Sequence, residues 1–391
     1  MFKSLAQLVQ RSAVVVLLLL TVAAIAGFAA VGHLVTRYNL NQQSRGRKLY
    51  AQGEAEVEAG DYDHAIEAFR AALISDHANP QYQLSLARAL RDTGRLDEAE
   101  TYLQSLWERD PESGTINLAL ARVAARRGNL EAATRYYHNA MYGEWTGEAD
   151  NSRRKARFEF IEFLLQRNVL TQARSELVAL AAILPPGDPD LHLRTAQLFA
   201  VAQDYSEALS EYERVLRLDR GNAAALAGAG QVSYLAGHYR TAERYLQAAV
   251  NVNPNDSNSR SLLATATTIL QIDPFVRRIS DAERNRRIAQ DFAEAGARLT
   301  ACAQQKGINL SVANVSLPSA GLSPLALLNS RWLQMQHQLP HLRSPDETDL
   351  PDAIMDLVFQ IEQETTNVCG APQGVNEALL LISRNREDAD Q

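Results

Sequence analysis

One short phrase recurs through this chain on a fixed beat. "GDYDHAIEAF" starts at Gly60, "GRLDEAETYL" at Gly94 and "GNLEAATRYY" at Gly128, and looser copies start at Asn168, Gln203 and Gly237. The intervals are 34, 34, 40, 35 and 34 residues. Self-similarity at such a period confines the chain to stacked units, each too small to bury its own apolar face alone. Every unit reads as two amphipathic helices around a turn. In the second, Leu86, Ala87 and Leu90 share one helical face and Ala99, Leu103 and Leu106 the next, with Pro111 beyond. A small residue returns at Ala65, Ala99, Ala133, Ala173, Ala208 and Ala242, where a larger one would push two crossing helices apart. Glycine at the turn permits positive φ, and proline after the second helix stops it.

These residues resemble the tetratricopeptide repeat family, whose pattern of aromatic, small and proline positions they follow from roughly Ser44 to Asp256. The family's tryptophan is missing throughout, and the turn glycine gives way to Asn168 and Gln203 in two middle units. The resemblance implies an all-α solenoid of about six helical hairpins, with a concave surface that holds a partner's peptide or helix. Counting the family's groove positions from the turns places Leu84, Arg88 and Arg91 on that surface in the second unit, and Leu118, Arg122 and Arg126 in the third. Guanidinium groups among apolar side chains suit an acidic, partly hydrophobic peptide. The alternative is a solvated helix face balanced by Asp92 and Asp97. The family's lysine–asparagine carboxylate clamp is not reproduced.

Ahead of the repeats, Ala13 to Val35 runs for 23 residues without Asp, Glu, Lys or Arg. As a helix it spans about 34 Å, enough for a hydrocarbon core of about 30 Å. A cleaved signal peptide would end near "AIA" at Ala24 to Ala26, but the apolar run continues past it, so a retained single-pass anchor is expected. Lys3 and Arg11 precede the span while Arg37, Arg45, Arg47 and Lys48 follow, which favours a cytoplasmic solenoid. The short basic start followed by an apolar core favours export instead. The two cysteines bear on this. Cys302 lies on an apolar helix face and Cys369 in the turn "NVCGAPQG"; a bridge would contribute about 4 kcal/mol and need an oxidising compartment. Two unrelated thiols in a cytoplasmic protein is the other reading. The expectation adopted is export with the N-terminus inside, periplasmic in a bacterium.

The domain plan is therefore a flank at 1–12, an anchor at 13–36, repeats at 44–256, a helical capping and C-terminal module at 257–385, and a flexible tail at 386–391. In the module Ile288, Phe292, Ala295, Leu299 and Cys302 share one helical face. Turn-rich residues Ser316 to Ser323 follow, then helices around Trp332, Ile354 to Ile361 and Val375 to Ile382. A net charge of -7 argues against nucleic acid as a partner. Arg277, Arg278, Arg284, Arg286 and Arg287 read as a solvated helix face. No metal spacing, phosphate loop or nucleophile elbow is present, so neither enzyme activity nor a cofactor is expected. Three other functions stay open: a sensory subunit whose C-terminal module binds a ligand, a cytoplasmic-facing adaptor, and an enzyme hidden in residues 275–391.

Overall fold

The computed structural model describes residues 2–310, 323–343 and 349–389. Apart from Ser323, the turn-rich stretch expected at Ser316–Ser323 lies outside them. Among the described residues there are seventeen α-helices, one 3-10 segment and no strand, so the all-α expectation holds. The chain divides into two compact units, residues 1–167 and 168–391.

The first unit contains α1 (Phe2–Glu58), α2 (Tyr62–Ser75), α3 (Pro80–Asp92), α4 (Leu96–Trp107), α5 (Gly114–Arg127), α6 (Leu130–Tyr142) and α7 (Ala149–Gln166). The apolar span and the opening helix of the first repeat are not separate elements. They form one helix of 57 residues. No proline interrupts it, and its two glycines nearest the repeat serve close packing instead of a break. A Cβ on Gly53 would meet the Phe69 ring at 2.5 Å, and one on Gly46 would come within 3.2 Å of Ser75. From Leu19 to Arg45 the helix is almost bare, with Phe28 87% exposed and Val31 and Leu34 uncovered. After it, α2 packs along the helix.

The repeat logic is visible residue by residue. The six alanines at 65, 99, 133, 173, 208 and 242 are all fully buried. Gly60, Gly94, Gly128 and Gly237 hold φ between 73° and 81°, and each is followed closely by a new helix. Asparagine and aspartate begin many of these helices, accepting from backbone N–H groups that would otherwise be orphaned. Asn79 caps α3 through Gln81 and Tyr82, Asn129 caps α6 through Ala132, and Asp61 caps α2 through His64. The 40-residue interval has a local cause: most of the extra length extends α7 to 18 residues. The Gly143–Glu148 connection is pinned where Gly114 N donates to Glu144 O at 2.7 Å and Trp145 Nε1 donates to Ala140 O at 2.8 Å.

Asn168 and Gln203 stand where glycine stands in the other turns, and they adopt the same backbone, at φ 58° and 59°. A side chain in this region costs about 1–2 kcal/mol, partly offset because glycine loses more chain entropy on folding. Gln203→Gly is therefore expected to stabilise the protein by about 0.5–1 kcal/mol, and Asn168→Gly by less, since asparagine tolerates this region. Urea unfolding of the two variants against wild type measures this; a loss at both positions contradicts it.

The second unit contains α8 (Leu170–Ala181), α9 (Pro189–Val201), α10 (Tyr205–Leu218), α11 (Ala223–Leu235), α12 (Tyr239–Val252), α13 (Ser257–Ile272), α14 (Asp281–Lys306), α15 (Pro324–Gln336), the 3-10 segment Leu339–Arg343, α16 (Leu350–Cys369) and α17 (Val375–Ala389). The stripe Ile288, Phe292, Ala295, Leu299 and Cys302 is buried against Ile354, Val358 and Ile361 of α16 and Leu379 and Ile382 of α17. Trp332 stacks on Phe292 with centroids 5.2 Å apart and donates from Nε1 to the Phe292 carbonyl. Helix α17 continues to Ala389, past the start of the expected tail, because Arg386 lies over the Phe275 ring and pairs with Asp352 at 3.4 Å.

One polar contact in this unit gave no sign in the sequence. His192 on α9 and Glu211 on α10 are 1% and 2% exposed at their side chains, with Nδ1 and Oε2 2.6 Å apart. His192 Nε2 lies 3.1 Å from the Pro185 carbonyl, and Arg214 reaches Glu211 from the surface at 3.3 Å.

Candidate functional site

In the first unit the opening helices of successive repeats, α1, α3, α5 and α7, lie side by side. Their common wall carries the candidate residues. Tyr50 of α1 stacks on Tyr82 of α3 with centroids 5.0 Å apart, and its hydroxyl accepts from Gln81 Nε2 at 3.1 Å. Leu84 is half-buried beside them. Leu118 departs from its expected place. It is only 6% exposed, because α5 is buried on every side from Ile116 to Ala121, so it belongs to the repeat core and not to the wall.

The four arginines differ sharply from one another. Arg122 donates from Nε and Nη2 to both oxygens of Glu159 on α7, at 2.8 and 2.7 Å, and this pairing holds its guanidinium above the usual range. Arg91 makes the same kind of fork with its neighbour Asp92, at 2.9 and 2.8 Å. Arg126 donates to the Arg91 carbonyl at 2.9 Å and lies 3.7 Å from Asp92. Among the described residues, Arg88 has no ion-pair partner.

Arg88 is exposed by accessible area, yet its guanidinium is pushed down, first by lost solvent and then by Arg122 and Arg91 nearby. The two observations agree for a side chain on a concave wall, where solvent reaches one side and protein crowds the other. The exposed area is the better guide to what a partner could touch. Beneath the Arg122–Glu159 pair, burial and then Glu159 push the Tyr137 hydroxyl up to about 12, so it remains a neutral donor across the physiological range. Of these four arginines Arg88 alone lacks an ion pair among the described residues, with Glu54 near it and Asp92 and Glu159 near Arg122. Asp92 lies against Arg91 and Arg126, whereas Asp97 pairs with Arg127; Glu159, 37 residues from Arg122, was not foreseen.

In the second unit Cys302 of α14 and Cys369, the last residue of α16, are joined, with S–S 2.00 Å and Cα atoms 5.9 Å apart. Arg298 holds the same corner. It donates to Thr365 Oγ1 at 2.7 Å and the Gly370 carbonyl at 3.1 Å, and lies 3.1 Å from the buried Glu362 carboxylate. The arginines expected as a solvated face at the start of α14 are instead partly structural. Arg287 is 13% exposed and donates to the carbonyls of Leu270 and Asp273, and Arg284 donates to Pro274 O. Among the described residues no cluster of three His, Cys, Asp or Glu could hold a metal ion.

Residues 50–113, 84–149 and 202–266 match the Tetratricopeptide repeat model. The chain carries tetratricopeptide repeats over these residues. Among curated proteins, a DnaJ protein P58IPK homolog from Arabidopsis thaliana is 20% identical over 248 residues, 63% of this chain. The match spans 46% of that relative, less than half its length. Among solved structures, the C-terminal part of a repeat-containing protein from Cytophaga hutchinsonii is 12% identical. It covers 61% of this chain and 93% of its own, with TM-score 0.44. The pilF protein of Pseudomonas aeruginosa is 16% identical and covers 57% of this chain and 99% of its own, with TM-score 0.40.

Proposed function

We propose that this tetratricopeptide repeat protein is a single-pass membrane scaffold that captures a partner protein on the wall formed by α1, α3, α5 and α7, in assembly of an envelope-associated complex. The observation that carries this reading is Arg88: an exposed cation without an ion pair beside Arg91, Arg122 and Arg126, which all lie against carboxylates. Such a wall suits a partner segment bearing one carboxylate beside apolar side chains. It disfavours the acidic run suggested by four free arginines, because Glu54, Asp92 and Glu159 would repel further negative charge. The bare apolar half of α1 supports the anchor, since among the described residues nothing covers it. The joined Cys302 and Cys369 favour an oxidising compartment for the repeats, with the N-terminus of α1 inside.

The test uses full-length protein in native membranes, carrying a photo-crosslinking residue in place of Leu84. Arg88→Glu is expected to abolish the captured band, a loss of about 10- to 100-fold in affinity for one charge-assisted contact, while stability stays within about 0.5 kcal/mol of wild type. Undiminished capture by the folded Arg88→Glu protein overturns the groove assignment. The same membranes test the anchor, because the protein should stay in the pellet through alkaline washing.

A further inference from the structure

The interior of the second unit holds a carboxyl group that nothing binds. Asp291 sits on α14 among Ile288, Phe292 and Ala295, is fully inaccessible to solvent, and has no hydrogen-bond partner at either oxygen among the described residues. Several other buried polar groups of this unit are satisfied. Ser233 Oγ donates to the Ala229 carbonyl at 2.7 Å, Thr195 Oγ1 to the Leu191 carbonyl at 2.8 Å, and His192 lies against Glu211.

The charges around Asp291 do not compensate it. Asp273 faces it from the end of α13, with Arg287 and Glu294 from its own helix. Arg287, the one cation among these, is already committed: Nε donates to Glu283 at 2.8 Å, and Nη1 to the carbonyls of Leu270 and Asp273 at 3.0 and 2.8 Å. On α17, Arg386 faces Asp273 and is engaged by Asp352. On α16, Glu362 faces Arg298 and again Glu294. A bare carboxylate in an apolar interior beside like charges is strongly disfavoured, whereas the neutral acid is tolerated. Burial, reinforced by Asp273 and opposed by Arg287, accordingly pushes the Asp291 carboxyl up to about 8. Burial pushes Glu362 to about 7 against the pull of Arg298.

We propose that the C-terminal part of the second unit is a proton-linked element, closed around α14 while the buried, unpartnered Asp291 carries its proton and loosened about α14 when that proton leaves. The direction follows from linkage. A carboxyl at 3.8 in the open chain and about 8 in the closed one contributes stability that is complete below the lower value and lost as pH rises through the higher. Acid tightens this element and alkali opens it, opposite to the behaviour of salt-bridged carboxylates.

Hydrogen exchange on the full-length protein in mild detergent tests this, after correction for intrinsic exchange. Between pH 6 and 8 the opening constant of α14 peptides is expected to rise by up to about tenfold per pH unit, and Asp291→Asn to abolish most of that rise. A flat wild-type profile, or an Asp291→Asn protein that keeps the full slope, overturns the proposal. So does a slope removed by Glu362→Gln and left intact by Asp291→Asn. If Asp291→Asn does not fold, carbon-detected NMR of wild-type aspartate carboxyls decides: one carboxyl titrating near 8 supports the proposal, and none above about 5 overturns it.

Discussion

A chain carrying Cys302→Ser together with Cys369→Ser is expected to lose about 4 kcal/mol of stability in its second unit under oxidising conditions. The bond closes a loop whose ends are 67 residues apart in sequence, which restricts the conformations the open chain would regain on unfolding. It also ties the buried stripe of α14 to the end of α16, where Arg298 secures the same corner. Denaturant titration with and without reductant gives the comparison. Wild type in reductant should match the double serine variant, while in oxidant the two should differ. Identical curves in both conditions would mean that the thiols do not pair, and would remove the argument for an oxidising compartment.

The second large effect is expected at His192. Replacing it with alanine should cost about 3 kcal/mol, because the buried Glu211 carboxyl loses its partner at 2.6 Å and only the surface side chain of Arg214 still reaches it. Replacing both partners, as His192→Leu with Glu211→Leu, should recover most of that loss, since a packed apolar pair leaves no buried polar group without a partner. Urea midpoints for the two single variants and the double complete the cycle. A His192→Ala protein as stable as wild type would show that the contact contributes nothing.

What the sequence made legible was set by spacing. The six buried alanines and the positive-φ turns recur at intervals of 34 or 35 residues with one of 40, and a short-range rule finds each from the last. Asn168 and Gln203 kept the turn's backbone even where its glycine was lost, so the count of repeats survived. The electrostatics of the wall were harder to read. The fork from Arg122 goes to Glu159, on the helix lengthened within the 40-residue interval, so counting by 34 from Arg122 lands on Ala156 instead. Position marks which face a side chain occupies but not whether a carboxylate waits across it. Arg88, Arg91, Arg122 and Arg126 therefore looked alike and are not. His192 and Glu211, 19 residues apart on facing helices, were hidden for a related reason: apolar periodicity locates a core and is blind to a polar pair inside it. Exchanging all four arginines for glutamate would include Arg122→Glu, which sets a new carboxylate against Glu159 and confuses lost capture with lost packing. Arg88 alone is therefore the informative position.

The unbroken course of α1 has a mechanical consequence. A helix with no hinge between Phe2 and Glu58 behaves as a shaft about 86 Å long. Its far end is clamped where Gly46 and Gly53 lie under Ser75 and Phe69. Any tilt or rotation imposed on the bare half must turn the Tyr50 end with it, and with that end the wall that displays Arg88. The bearing of this wall is thus set by whatever grips the apolar stretch of the shaft, so a thicker or thinner surrounding layer would swing the wall through an arc instead of being absorbed by a flexible tether.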